Sequence, residues 1–381
     1  MDRRPALTPN TARSTSEGRG TDKQNSRLSV APDVRPVTVE QAVFTSIRSP
    51  MGQGYRLVAP SPGLLPDEKR EIVQRAPSHG NLRGSAGLAS FTLRSGRHCV
   101  FICRDAGVEQ TARGGYRIHT HALVLDPAAY RRFGADPFRV EAAALRAIDP
   151  KVFERPPTAM TSKPLALEPA TCDADTKPFD ADHVDGALRL LAAVLNRERL
   201  LIVDMPAARD VLRWVLSATP AAYRPGLSFS YGLKYAPARK FQVVSTELDA
   251  TRRARIANDE HVDVLSWPDQ PPTAKALTDW CEFVRDWHTA GRMTDIAALA
   301  DELTAEDTPD ALRRVTSITR DLERIAEADQ AQLDTLATRH PRDAESTDAY
   351  ACRLKTLHEE IAHRREELEQ AEDEADSTDG D

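Results

Sequence analysis

The chain has 381 residues and a net charge of −7, and this length suffices for two or three domains with a sizeable core. It contains no apolar run near the ~20 residues that span a bilayer, and residues 1–36 lack the apolar segment of a secretory signal. Its five scattered cysteines form no Cys-x-x-Cys pair, which argues against a disulfide framework or a zinc site. We therefore expect a cytoplasmic protein without a membrane partner, and the acidic charge balance argues against nucleic-acid binding.

The N-terminal third divides into two segments of different composition. Residues 1–36 carry almost no large apolar side chains, which predicts a disordered N-terminal segment. Residues 37–148 form a β-rich part with short apolar runs between Gly-rich or polar breaks. The expected strands lie at 38–48, 54–60, 87–93, 97–105 and 116–125, and the expected helices at 66–74 and 137–148. This pattern predicts a mostly antiparallel sheet.

A Pro-rich connection, 149–178, leads to an α/β second part of the same module at 179–270. This second part should contain helices at 179–196 and 206–219, a buried strand at 199–204, and strands at 227–235 and 240–245. The last two strands are separated by a short turn sequence, so we expect them to pair as a hairpin. Strand, helix and strand in this order predict an α/β layer beside the first sheet.

The C-terminal part, 271–365, is expected to be helical. One helix carries an apolar stripe that includes Trp280 and Trp287, and residues 309–339 are expected to form one amphipathic helix that ends before Pro341. The segment 366–381 holds nine acidic residues and no basic one, which predicts a disordered acidic tail. The predicted fold class is therefore α+β, with an antiparallel N-terminal sheet, an α/β second part and a helical C-terminal region.

The candidates for a chemical centre are His119 and His121. On a strand, the two side chains point to the same face, as a pair of metal ligands requires. No third ligand is identifiable, and Leu123 and Leu125 continue the same face toward the core. We therefore predict structural histidines, with neither catalytic residues nor a metal, and keep an enzyme of unrecognised type centred on this pair as an alternative.

A second alternative is nucleic-acid binding by the segment 223–240. Aromatic side chains on which bases could stack alternate there with cations that could contact phosphates. These residues are Tyr223, Arg224, Phe229, Tyr231, Lys234, Tyr235, Arg239 and Lys240. An amphipathic hairpin with its aromatic rings inside would have the same composition, so the pattern is not specific.

Familiar catalytic and cofactor motifs are absent from the sequence. It contains no Walker A loop, no G-x-G-x-x-G, no G-x-S-x-G and no H-E-x-x-H. The Ser-Pro-Gly corner at 61–63 is followed by Pro66 and two acidic residues, which would repel an anion from the helix start. We therefore expect Gly63 to serve a turn, and we expect neither a cofactor nor enzymatic activity.

Three segments resemble the N-terminal domain of GTPase-associated proteins from bacterial conflict systems. The first two are QAVFTSIRSPMGQGYRLVAPSPGL at 41–64 and HTHALVLDP at 119–127. The third is LSATPAAYRPGLSFSYGL at 216–233, which is similar to a Leu-Pro-x-x-x-Arg-x-x-Leu-Ser-Phe-x-x-Gly segment of the family. The resemblance spans residues 41–245 in the expected order.

The resemblance implies an adaptor or scaffold encoded beside a GTPase in multi-gene systems that counter invaders such as phage. It implies a protein partner, with a GTPase as the first candidate, and it transfers no catalytic residue. Either the C-terminal helices or the groove between the two sheet-bearing parts would engage that partner, and the C-terminal helices could also mediate self-association. Longer family members continue into further domains, where this chain continues into its helical region. The positions that match the family pattern are Gln41, Gly54, Ser61, Gly63, His121, Arg224, Ser228, Phe229 and Gly232.

Overall fold

The computed structural model describes residues 35–49, 52–109, 116–154, 161–169, 181–260, 262–267, 278–303, 309–342 and 348–378. The predicted disordered segment therefore lies outside the described residues, apart from its last two positions. Statements below on what the structure contains refer to these ranges.

Ten strands form one mixed sheet with the order β10-β7-β9-β8-β3-β4-β5-β1-β2, and β6 pairs with the first residues of β1. The fold class is α+β, as predicted. The strands are β1 (Val37–Ser49), β2 (Gly52–Val58), β3 (Ala86–Thr92), β4 (His98–Val108), β5 (Tyr116–Leu125), β6 (Leu165–Leu167), β7 (Leu200–Val203), β8 (Phe229–Tyr231), β9 (Val243–Thr246) and β10 (Asp263–Ser266).

Strands β1 to β6 form antiparallel pairs, as the apolar runs and breaks of 37–148 predict for the first five of them. In β4, Val100 and Ile102 face one side of the sheet, whereas Cys99, Phe101 and Cys103 face the other. Both sides are buried, which explains why β4 and β5 have long apolar runs. We call this portion the antiparallel half.

Strands β7 to β10 are parallel to one another, and β8 joins them to the antiparallel half by pairing antiparallel with β3. We call this portion the parallel half. The predicted hairpin is therefore wrong. The backbone of Gly232 is left-handed, with φ 68°, so the chain turns after Tyr231 and Leu233 packs on the opposite face of the sheet from Phe229. Residues 233–242 then carry the chain to a parallel β9.

Twelve helices of the described residues cover the two faces of this sheet. They are α1 (Pro66–Arg75), α2 (Pro127–Arg132), α3 (Pro137–Ala147), α4 (Lys151–Glu154), α5 (Ala181–Leu195), α6 (Ala208–Ala218), α7 (Ala250–Glu260), α8 (Asp279–Thr289), α9 (Met293–Glu302), α10 (Pro309–Arg324), α11 (Gln330–Arg339) and α12 (Asp348–Thr378). Helices α1 and α7 cover one face through Ile72 and Ile256. The larger core lies on the other face, beneath α3, α5, α6 and the C-terminal helices, and contains Trp214, Trp267, Trp280 and Trp287.

Two expectations for the C-terminal helices are corrected. The helix expected at 309–339 is divided, because a 3-10 turn at Ile325–Glu327 ends α10 and Asp329 then caps α11. The Asp329 carboxylate accepts from the Gln332 N–H, and the Gln332 side chain accepts from the Asp329 N–H, a reciprocal cap that sets a new helix start. Residues 366–378 continue α12 instead of forming a disordered tail. None of the helices described is both long and apolar enough to cross a membrane.

Candidate functional site

The two candidate histidines lie on β5 and point into the larger core. His121 is opposite Val43 of β1, and His119 is opposite Thr45. The Gln41 amide nitrogen donates to the Lys163 carbonyl at 2.6 Å, which leaves its amide oxygen to accept from His121 Nε2 at 2.7 Å. His121 is therefore held as the tautomer with its proton on Nε2.

Both imidazoles are neutral at physiological pH. Burial lowers the pKa of His119 to about 3 and that of His121 to about 4. The Phe153 ring lies 5.1 Å from the His119 ring and 6.2 Å from the His121 ring, between centroids. His119 Nε2 and His121 Nδ1 have no hydrogen-bond partner among the described residues. The same residues contain no group of three or more His, Cys, Asp or Glu side chains that could hold a metal. The structural role of the pair stays a prediction.

Gln41, Ser61, Gly63 and His121 of the family pattern meet at one corner of the sheet. The Ser61 hydroxyl accepts from the Gln41 N–H at 2.8 Å, and the Ser61 N–H donates to the Gln41 carbonyl at 2.8 Å. The Ser61 hydroxyl also donates to the Glu40 carboxylate, which accepts from the Gly63 N–H at 3.2 Å. We call this network the Gln41 corner. Ser61 is thereby fully engaged in holding the chain, and nothing marks it as a nucleophile.

Gly63 is not in a left-handed turn, and a side chain at this position would have to displace the Glu40 carboxylate. A Cβ at this position would lie 2.2 Å from the Glu40 carboxylate oxygen. Gly54, the remaining pattern position of the N-terminal segment, has φ 137° opposite Ile47 in the β1–β2 pair. The pattern residues of the first segment therefore hold the backbone in place. Gly63 leaves room for the Glu40 carboxylate, whereas Gly54 allows a backbone with φ 137°.

Arg224 is buried and connects three elements. Its Nε donates to the Thr219 carbonyl after α6 at 2.7 Å. Its Nη1 donates to the Gly134 carbonyl after α2 at 3.1 Å and to the Asp301 carboxylate of α9 at 2.5 Å. The guanidinium thus joins the segment before β8 to the ends of α2 and α6 and to α9.

The other pattern positions near Arg224 also serve the fold. The Ser228 hydroxyl accepts from the Gln242 N–H at 3.0 Å, and Phe229 packs 5.7 Å from the Phe138 ring centroid. A Cβ at Gly232 would lie 2.4 Å from the Ala86 carbonyl oxygen, so both space and the left-handed backbone require glycine there.

The segment 223–240 does not present the surface that nucleic-acid binding would use. Arg224 and Arg239 are buried, and Arg239 Nη2 donates to the Lys234 carbonyl at 2.6 Å. Phe229 and Tyr231 are buried as well, which leaves Lys234 and Lys240 as the exposed cations of this segment. The mixture of aromatic and basic residues in this segment therefore reflects packing in the core.

Comparison with known protein families identifies one match. Residues 38–158 match the family model described as GTPase-associated protein 1, N-terminal domain type 2. The resemblance is confirmed for this stretch. It covers β1 to β5, the helices α1 to α4 and the Gln41 corner, whereas Arg224, Ser228, Phe229 and Gly232 lie outside it and their assignment stays a prediction. No curated protein matches the chain.

The sequence reasoning missed a cleft of about 660 Å³ at the carboxyl ends of β7, β8 and β9. We call it the β7–β9 cleft. Its lining comprises Arg83, Gly84, Asp204, Met205, Pro206, Ala207, Ala208, Arg209, Tyr231, Gly232, Ser245, Thr246 and Glu247. The signal was present in LLIVDMP at 200–206, where a buried strand ends in an acidic residue just before a helix. The sequence pattern predicts a hairpin of β8 with β9 and does not place β9 beside β7, which forms this cleft.

Proposed function

We propose that this protein is a non-enzymatic adaptor of a bacterial GTPase-associated conflict system and that it binds a GTPase or another protein of that system. The observation that carries the proposal is the family match over residues 38–158, whose description names association with a GTPase. The engagement of Gln41, Ser61 and His121 in hydrogen bonds to other residues of the domain supports a role in folding and not in chemistry.

The surface proposed for partner binding is the C-terminal end of α12. Tyr350, Leu354, Leu357 and Ile361 are the buried residues of this helix where its side chains are described. The helix continues to Thr378, about 25 Å beyond Ile361 at 1.5 Å per residue. Residues 366–378 include seven acidic residues and no basic one, so this extension suits a partner with a basic surface.

The test is affinity purification of the tagged full chain from its native cells, followed by mass spectrometry. We expect a GTPase encoded beside the gene to co-purify. The variant Glu366→Lys/Glu369→Lys reverses two exposed charges of α12 and should reduce recovery of the GTPase at least about tenfold. Glu168→Lys/Glu282→Lys makes the same charge change at exposed positions elsewhere and should leave recovery unchanged.

Two results would contradict this proposal. One is the recovery of neither a GTPase nor another protein of the same gene cluster. The other is a dimer in analytical ultracentrifugation that Glu366→Lys/Glu369→Lys dissociates, because this would assign the α12 surface to a second copy of the chain.

A further inference from the structure

A surface with a surplus of positive charge lies on the face of the sheet that α1 covers. It comprises α1, the turn 94–97 and the connection 233–242, and we call it the basic face. The connection packs on this side through Leu233 and Phe241. The turn and the connection together contain five cationic residues and no acidic one. The C-terminal helices, with the acidic extension of α12, pack on the opposite face.

Contacts among its three segments make the basic face one continuous surface. The Arg94 N–H of the turn donates to the Glu71 carboxylate of α1 at 3.0 Å. The Phe241 ring of the connection lies 5.8 Å from the Phe91 ring, between centroids, and the Arg75 guanidinium of α1 lies 4.5 Å from the centroid of the same Phe91 ring. The turn and the connection are therefore fixed beside α1.

Four cations of the basic face have no ion pair among the described residues. They are Lys69, Arg94, Lys234 and Lys240, of which the last three are exposed. The acidic residues of α1, in contrast, each bind an arginine at 2.8–3.1 Å, in the pairs Asp67–Arg70, Glu68–Arg97 and Glu71–Arg75. The charge of the four cations is therefore uncompensated, and it favours an acidic ligand.

Exposed apolar side chains accompany these cations. Leu65, which precedes α1, is 52% exposed, and Val73 of α1 is 42% exposed. Leu65 and Arg94 both line a groove of about 390 Å³ between α1 and the turn. The Ser95 hydroxyl donates to the buried Glu68 carboxylate at 2.7 Å and holds the two walls of the groove together. Apolar side chains within a polar rim are typical of protein interfaces.

We propose that the basic face binds an acidic amphipathic segment of another protein, in which apolar side chains accompany Asp or Glu residues. An apolar side chain of the segment occupies the groove beside Leu65, and its carboxylates bind Arg94, Lys234 and Lys240. This surface is distinct from that of α12, because it lies on the opposite face of the sheet and takes a partner of opposite charge. Together the two surfaces would let an adaptor hold two proteins, and that use alone rests on the proposed function.

Fluorescence polarisation on the purified full chain tests the proposal. The probe is a labelled synthetic peptide of about 20 residues whose Leu and Glu residues lie on opposite faces of a helix. We expect a Kd below about 100 µM at low salt, and at least about tenfold weaker binding in about 0.5 M NaCl, because salt screens exposed charges. An oligo-glutamate peptide of the same length lacks apolar side chains and should bind at least about tenfold more weakly.

Charge reversal assigns the binding to the basic face. Lys234→Glu/Lys240→Glu should weaken binding of the Leu–Glu peptide at least about tenfold. Lys151→Glu/Lys163→Glu is the matched control, because it makes the same charge change at exposed positions whose neighbours Val152 and Leu165 pack on the larger core. This control should retain the affinity.

A second pair of variants tests the apolar contact. Leu65→Ser removes the exposed apolar side chain of the groove and should weaken binding of the Leu–Glu peptide about tenfold. Leu145→Ser is its control, because Leu145 is 37% exposed on α3, outside the basic face, and its substitution should leave binding unchanged. An unchanged melting temperature identifies the variants that remain folded.

The proposal is overturned if the Leu–Glu peptide binds with a Kd above about 1 mM, or if folded Lys234→Glu/Lys240→Glu binds it like the wild type. A DNA duplex of about 20 base pairs that binds more tightly than the peptide would assign the face to nucleic acid and overturn it too. So would self-association of the wild type that this variant abolishes. The titrations contain no native partner, so their failure would leave the adaptor proposal to its own test.

Discussion

The antiparallel and parallel halves of the sheet differ in how completely their polar groups are hydrogen-bonded. At the Gln41 corner, the Gln41 side chain uses both its oxygen and its nitrogen, and the Ser61 hydroxyl both accepts and donates. At the β7–β9 cleft, the Thr246 hydroxyl has no hydrogen-bond partner in the described residues, and Ala207, the N-cap residue of α6, makes no side-chain cap. The first region is closed by its own hydrogen bonds, and the second leaves a buried hydroxyl without one.

The residues by which a family pattern is recognised are therefore different from the residues at which chemistry can occur. The stretch that matches the family model contains the closed Gln41 corner. Most residues of the β7–β9 cleft follow in the chain after that stretch. Polar residues of a family pattern can therefore specify a fold, and the open polar groups of the same molecule have to be found from its geometry.

The largest loss of stability is expected for a substitution at the junction between the two halves, where β8 pairs with β3. Gly232→Ala would place a Cβ 2.4 Å from a backbone oxygen at φ 68°, and we expect a loss of at least about 3 kcal/mol in the free energy of unfolding. Urea denaturation measures this loss.

Gly96→Ala is the matched control for this junction. Gly96 also has a left-handed backbone, with φ 83°, but a Cβ there meets no described heavy atom within 4 Å. We expect a loss of about 1 kcal/mol from backbone strain alone. Equal losses for the two variants would show that close packing of β8 against β3 does not explain the glycine.

The next prediction compares the stability change caused by one substitution at the Gln41 corner with that caused by one at the β7–β9 cleft. Gln41→Leu leaves His121 Nε2 and the Lys163 carbonyl without their partner, which should cost about 2 kcal/mol in the free energy of unfolding. Thr246→Val removes a buried hydroxyl that has no partner among the described residues, so it should raise the same quantity by roughly 1–3 kcal/mol. Denaturant titration of both variants in the absence of ligand would contradict the comparison if Thr246→Val proved the more costly.

A further effect, which depends on pH, concerns the buried His119. Burial lowers its folded-state pKa to about 3, whereas histidine in an unfolded chain titrates near 6.5. As the pH falls below about 6.5, the unfolded chain takes up a proton that the folded protein does not, so the free energy of unfolding decreases by about 1 kcal/mol per pH unit from this group.

His119→Leu removes this contribution. Between pH 7 and pH 5 the variant should lose less stability than the wild type, as measured by urea unfolding at each pH. Parallel curves for the two proteins would contradict a buried neutral imidazole. Stoichiometric zinc in the purified wild type that is lost in His121→Ala would instead favour the enzyme alternative.

The strands of the antiparallel half could be predicted because their local pattern is unambiguous. Strand β5 has the predicted bounds, and α3 begins at the predicted residue, Pro137, where Asp136 caps the first turn. Alternating side chains and turn residues act over a few positions, so a single sequence contains the information that they need.

The parallel half could not be predicted to the same degree, because its pairing is set over a longer distance. Leu227 to Tyr235 alternate as one strand would, but the left-handed backbone of Gly232 interrupts them, and Leu82 then pairs with Leu233. The β7–β9 cleft depends on β9 lying between β7 and β8, which no local pattern indicates. His121 and Arg224 are positions of the family pattern in the sequence, but the bond of His121 to the Gln41 side chain and the bonds of Arg224 to the Thr219 and Gly134 carbonyls depend on the fold.

The distribution of tryptophan has a practical consequence for every unfolding experiment on this protein. All four tryptophans of the chain lie at or after position 214 and are buried on the face of the sheet beneath α5, α6 and the C-terminal helices. Intrinsic fluorescence excited at the indole band therefore reports on that layer, whereas far-ultraviolet circular dichroism averages over the whole backbone. Coincidence of the two transitions would demonstrate that the antiparallel half and the helical layer unfold as one cooperative unit.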